Sequence, residues 1–126
     1  MKTIAFLSQK GGSGKTTLAV HTAVAALEDG QRVVIVDTDI QRSATMWSEA
    51  REAETPVVAA VAAAELDAVM EAARHDAMTL CIIDTAPHAA PDAARRHTAT
   101  QVLRVTASMR AICKAPVNSL AMAFMS

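Results

Sequence analysis

The sequence predicts an α/β protein, a three-layer sandwich built on a mostly parallel sheet. Three observations carry that prediction. Short apolar runs at 2–8, 31–37 and 79–85 suit strands buried on both faces. Alanine-rich stretches without Gly or Pro, at 16–28 and 63–75, have helical character. Hydrophobic residues make up 52% of the chain and aromatics only 2%, so small side chains must pack the helices onto the sheet.

Each element has its own signal. The run 2–8 is a strand that leads through a glycine loop directly into a helix over 16–28, with Leu18, Thr22, Ala25 and Ala26 near one face. Gly30 stands where a helix C-terminus wants a left-handed residue. The run 31–37, with Val33, Val34, Ile35 and Val36 at its centre, is a second strand ending in Asp37-Thr38-Asp39. Those carboxylates then lie at the carboxyl edge of the sheet, which faces the ligand crevice in open α/β folds. A helix is expected over 41–54, carrying Met46 and Trp47, and a weaker apolar stretch at 56–60 is a candidate edge strand. Leu66, Val69, Met70 and Ala73 have helical spacing within 63–75. The run 79–85 is the third core strand and closes on Asp84.

Chemistry concentrates in Lys10-Gly11-Gly12-Ser13-Gly14-Lys15-Thr16-Thr17. A phosphate loop of the form G-x-x-x-x-G-K-[ST] curls its backbone N–H groups around phosphates, neutralises them with the lysine and offers a hydroxyl to Mg²⁺. Here the first glycine of that pattern falls at Gln9, and Lys10 precedes the glycines instead. The loop is therefore a variant with a lysine at each end. Its strand–loop–helix context is the one the motif requires, and the helix N-terminus adds partial positive charge. The apolar run Leu80-Cys81-Ile82-Ile83 ending in Asp84 has the form of a Walker B strand, whose carboxylate orients Mg²⁺ or its bound water. Asp37 also reads as a helix-capping or loop acid.

At 126 residues the chain is long enough for one domain with a core, and short for an α/β nucleotide-binding enzyme. It contains no apolar span of membrane length and no signal-peptide pattern, so a cytoplasmic location without membrane contact is expected. Cys81 and Cys113 lack metal or redox spacing, and His21 and His75 read as helix-surface or half-buried residues. Charge is uneven. Residues 1–94 hold seven Lys/Arg against thirteen Asp/Glu, whereas 95–126 hold five (Arg95, Arg96, Arg104, Arg110, Lys114) and no acid.

From Met1 to about Ala94 the chain resembles the ParA-type partition ATPases, the ParA/MinD/Soj group with a deviant Walker A loop. The residues that carry the resemblance are Lys10 to Thr17, Asp37-Thr38-Asp39-Ile40-Gln41 with Ser43-Ala44-Thr45 and Trp47, and Ile82-Ile83-Asp84-Thr85-Ala86-Pro87. The family's D-x-D-P-Q has Ile40 in place of proline here, which should loosen the turn. The resemblance implies a P-loop NTPase-like fold with ATP and Mg²⁺ as cofactors. Gly11, Gly12, Ser13, Gly14, Lys15, Thr16 and Thr17 would bind the nucleotide, Thr17 at the α-phosphate. Thr16, Asp37 and Asp84 would hold or tune the metal. Lys10, Lys15 and Asp39 would serve hydrolysis, Lys10 by reaching the nucleotide of a partner subunit and Asp39 by positioning the attacking water. The implied function is an ATP-dependent homodimer switch in plasmid or chromosome partition. It would be stimulated by a ParB-like partner, bind DNA non-specifically and act in a nucleoid-associated, cytoplasmic setting.

After Pro87-His88 the family pattern stops, without the expected next strand. The expectation is thus two segments: 1–94, a P-loop domain representing the N-terminal half only, and 95–126, a divergent basic tail that is non-native or out of frame. The rival expectation is an authentic tail whose Arg104, Arg110 and Lys114 contact DNA phosphates. On the first expectation, three strands and a possible edge leave one side of the sheet uncovered, the usual DNA surface is missing and hydrolysis is impaired. The alternative function is then a non-catalytic nucleotide-binding or dimer-competing module. A basic membrane helix of the MinD kind does not suit 109–126, which Pro116 interrupts.

Overall fold

The computed structural model describes residues 1–89 and the backbone of 101–104. In chain order the elements are β1 (Lys2–Leu7), α1 (Lys15–Glu28), β2 (Val33–Asp37), α2 (Ser43–Glu49), β3 (Val57–Ala60), a 3₁₀ turn at Ala63–Glu65 running into α3 (Leu66–His75), β4 (Leu80–Asp84) and β5 (Gln101–Arg104). The strands form one sheet in the order β3-β2-β4-β1-β5, and every pairing is parallel.

Side-chain alternation divides the core between two faces, as strand geometry requires. Ile4, Phe6, Val33, Ile35, Leu80 and Ile82 pack under α1 and α2 through Leu18, Ala19, Ala23, Ala26 and Ala44. Ala5, Leu7, Val34, Val36, Cys81 and Ile83 pack on the opposite face against Leu66, Met70 and Ala73 of α3. Helices therefore cover both faces, and the α/β three-layer sandwich is the observed fold. Alanines on the inner side of α1 let the helix lie close to the sheet. Burial pushes the Cys81 thiol up to about 12, which makes it an inert core residue.

The C-terminus of α1 closes on a Schellman motif. Gly30 takes a left-handed φ of 79°, its N–H donates to the Leu27 carbonyl, and the Gln31 N–H donates to Ala26.

Two expectations are corrected. The helix predicted over 41–54 spans only Ser43–Glu49. At its start, Arg42 sits at φ 50° and its N–H closes a turn on the Asp39 carbonyl, so 41 and 42 are committed elsewhere. At its end, Glu49, Glu52 and Glu54 oppose the helix dipole, and Pro56 biases Thr55 toward extended backbone. The second correction concerns the sheet. A strand does follow Pro87: β5 pairs with β1 from Ile4↔Gln101 to Leu7↔Arg104, so β1 has a neighbour on each side. Four residues are too few for a readable period, and a free parallel edge recruits them through backbone N–H and C=O groups. The 94/95 boundary, Arg110, Lys114, Cys113 and the 109–126 segment lie outside the described residues. Among the described residues no helix is long and apolar enough to cross a membrane.

Candidate functional site

Register brings three strand tips together. Phe6 stands beside Asp84, and Asp84 beside Asp37, in one row at the carboxyl end of the sheet. The loop after β1 rises over that row. The Thr85 hydroxyl donates to the Phe6 carbonyl (2.8 Å), the His88 N–H to Ser8 (3.0 Å), and the Ser8 hydroxyl to the Lys10 carbonyl (3.1 Å). Gly14 ends the loop as the N-cap of α1 at φ 89°, a conformation that a Cβ would strain, and its carbonyl accepts the Leu18 N–H at 2.9 Å. First-turn N–H groups of a 14-residue helix thus open at the loop.

The buried centre is Asp84, which is 0% exposed. Its Oδ1 accepts from Lys15 Nζ at 3.0 Å and its Oδ2 from the Thr16 hydroxyl at 2.6 Å. Burial raises the carboxyl pKa. The Lys15 charge and the two hydrogen bonds oppose that rise, and the neighbouring Asp37 charge adds to it. Above this pair lies a cleft of about 160 Å³, lined by Ser8, Lys10, residues 11–16, Asp39, Gln41 and Pro87.

Lys10, Gly11, Gly12, Ser13, Gly14, Lys15, Thr16 and Asp39 therefore share one cleft, and Asp84 anchors its floor through Lys15 and Thr16. Thr17 is exposed on α1 and does not line it. Asp37, 1% exposed, does not line it either; its carboxylate accepts from Asp39 N–H and from the N–H and hydroxyl of Thr45. The loosened turn expected from Ile40 is instead closed by hydrogen bonds from Gln41 N–H to the Asp39 carboxylate (2.9 Å) and from Arg42 N–H to the Asp39 carbonyl (2.9 Å). Gln41 and Pro87 as cleft walls, and Thr38 and Thr45 as loop anchors, were not assigned roles from sequence. The legible hint was a hydroxyl residue eight positions after a strand-terminal Asp, at the start of a helix.

The residues present fit a phosphate and a magnesium ion. Ser13 Oγ is buried within the loop and has no hydrogen-bond partner, a state that a phosphate oxygen would relieve. The Thr16 hydroxyl and Asp84 carboxylate are hard oxygen donors of the kind Mg²⁺ takes with substrate phosphates. Among the described residues no three His, Cys, Asp or Glu side chains gather into a metal-holding cluster.

A glycine loop at a helix N-terminus, a buried lysine and a strand-tip carboxylate define a P-loop nucleotide-binding class of protein. The family model described as "CobQ/CobB/MinD/ParA nucleotide binding domain" matches residues 4–122, and the chain belongs to that family. It is 40% identical over 79 residues to the virC1 protein of Rhizobium rhizogenes, covering 61% of this chain and 34% of that one. It is 52% identical over 48 residues to the maintenance of carboxysome distribution protein A of Gloeobacter kilaueensis (38% and 22%). It is 47% identical over 45 residues to the chromosome-partitioning ATPase Soj of Thermus thermophilus (36% and 18%). The chain thus spans about a third or less of these relatives' lengths. Among solved structures, a chain of the MinC:MinD cell division complex of Aquifex aeolicus superposes with a TM-score of 0.63 at 18% identity, covering 90% of this chain and 65% of that one. FtsY of Mycoplasma mycoides gives 0.55 at 24% identity (76% and 34%). These two establish the fold.

Proposed function

We propose that the protein binds ATP with Mg²⁺ and works as an ATP-dependent dimer switch of the ParA type, in partition of plasmid or chromosomal DNA. The observation that carries the reading is the convergence of Lys15 and Thr16 on Asp84 beneath a cleft that holds the unpartnered Ser13 hydroxyl. In this reading the N–H groups of 12–15 cradle the β- and γ-phosphates, and Lys15 turns from Asp84 to neutralise them. Thr16 and Asp84 hold the metal, which supplies charge neutralisation at the phosphate oxygens. Asp39 lines the same cleft and orients the attacking water. Lys10 is exposed at the mouth, where it is free to reach the nucleotide of a second protomer. A ParB-like stimulator, non-specific DNA and a cytoplasmic, nucleoid-associated setting complete the proposal.

The test is nucleotide binding and assembly, measured together. Wild type is expected to bind a fluorescent ATP analogue with Mg²⁺ and to shift from monomer to dimer in sedimentation. Lys15→Ala should lose binding, and Lys10→Ala should keep binding and lose the shift. Binding without dimerisation or turnover in the wild type would instead favour a non-catalytic nucleotide-binding module. Absence of binding would reject both readings.

A further inference from the structure

One wall of the cleft is formed by Asp39 and Gln41, on the 38–42 connection between β2 and α2. A connection this short holds a carboxylate in one place only if its backbone is tied down at both ends. Thr38 makes one tie: its N–H and its hydroxyl both donate to the Asp84 carbonyl, at 2.9 and 3.1 Å. Asp37 makes the other. Its Oδ1 accepts the Asp39 N–H at 3.1 Å, and its Oδ2 accepts both the N–H and the hydroxyl of Thr45 at 3.0 Å.

Thr45 is the third residue of α2, and the first-turn N–H groups of a helix have no partner inside it. The N-cap residue Arg42 supplies no side-chain bond. Asp37 thus does from the preceding strand what an N-cap side chain normally does, with a negative charge that suits the helix N-terminus. A carboxylate offers about four lone-pair sites. Three are spent on these donors, none of which belongs to the phosphate loop. Asp84 differs: its partners are Lys15 and Thr16 of that loop, the side chains that a bound phosphate and metal would draw away.

We propose that Asp37 is a positioning residue, whose buried carboxylate clamps the Asp39 amide and Thr45 to a single anchor and so fixes the Asp39 carboxylate at the cleft without holding the metal. The role given to Asp39 rests on the proposed function; the clamp itself does not.

The experiment compares Asp37→Asn, Thr45→Val, which deletes the hydroxyl donor with little change of shape, and Thr45→Ser, which keeps it. Asp37→Asn and Thr45→Val should each lower ATP turnover at saturating nucleotide and Mg²⁺ by about tenfold, as loss of a supporting shell does. Nucleotide affinity and the Mg²⁺ concentration at half-saturation should stay within about twofold, because no metal ligand is lost. Thr45→Ser should restore turnover, and the double variant should be no slower than Asp37→Asn alone. A shift of about tenfold or more in Mg²⁺ half-saturation for Asp37→Asn, with Thr45→Val turning over like wild type, would overturn the proposal and make Asp37 a metal ligand. Should the wild type neither bind nor hydrolyse ATP, the functional reading fails by itself, and amide exchange then decides the clamp. Lost protection at the Asp39 and Thr45 amides of Asp37→Asn supports it; unchanged protection rejects it.

Discussion

Lys15 and Asp84 form an ion pair with side-chain exposures of 6% and 0%. Burying both charges costs much of what their attraction returns, so such a pair is weak evidence of stability. Removing one partner is another matter, because it strands the other. Lys15→Ala is therefore expected to lower stability by about 3 kcal/mol near neutral pH, besides abolishing phosphate binding. The pH dependence has a definite sign. Burial raises the Asp84 carboxyl above its ordinary 3.8, and Lys15 is the chief influence pulling it down. A folded-state value above the unfolded one means that the folded protein holds its proton longer. Asp84's contribution is then fully present below 3.8 and is lost as pH climbs through the raised value. Without Lys15 that value rises further, so the variant should lose more stability than wild type between about pH 4 and pH 7. Urea unfolding at both ends of that range, on both proteins, measures the difference. Parallel curves would show that Lys15 does not hold the carboxylate ionised.

At the scale of elements, how much the sequence reveals follows burial. β1, β2 and β4 were legible because each is covered on both faces and so reads as an unbroken apolar run. Gly30 was legible as a helix stop because only a left-handed residue closes that turn. The phosphate loop was legible because its chemistry is local, written in consecutive residues. α2 was overextended because its start is set by the turn that Arg42 closes on Asp39 and by the Asp37 cap on Thr45, and its end by acids and Pro56, none of which periodicity sees. The same holds for the roles of Thr38 and Thr45. The turn before α2 also makes a prediction. Arg42 N–H bonds to the Asp39 carbonyl, which puts Ile40 at the second position of a four-residue turn, and its side chain is 90% exposed. Proline is favoured there and restricts the unfolded chain, so Ile40→Pro should stabilise by about 0.5 kcal/mol, a rise of about 2 °C in Tm. Calorimetry checks it, and a lowered Tm would show that the Ile40 backbone departs from the proline-compatible turn.

For the whole molecule the decisive pairing is β5 on β1, because β1 carries the phosphate loop and lies between β4 and β5. A strand paired on one side only would leave a row of N–H and C=O groups open at the sheet edge, beside the loop that must hold its shape. β5 lies only four residues long in that position, and the family match runs through it to residue 122. It therefore acts as the cover of an edge, whose contribution comes from backbone bonding rather than from a recognisable side-chain pattern. Adjacent strand residues point their N–H groups to opposite sides. Replacing both Val102 and Leu103 with proline thus removes whichever amide faces β1. The double variant should unfold with a loss of about 3 kcal/mol or more and should associate into dimers and larger species in sedimentation, through the uncovered β1 edge. Phosphate binding should weaken with it, since the loop would then spring from a fraying strand. An unchanged urea midpoint together with a monomeric profile would show that β1 needs no cover, and that the fold is complete at the four strands β3-β2-β4-β1.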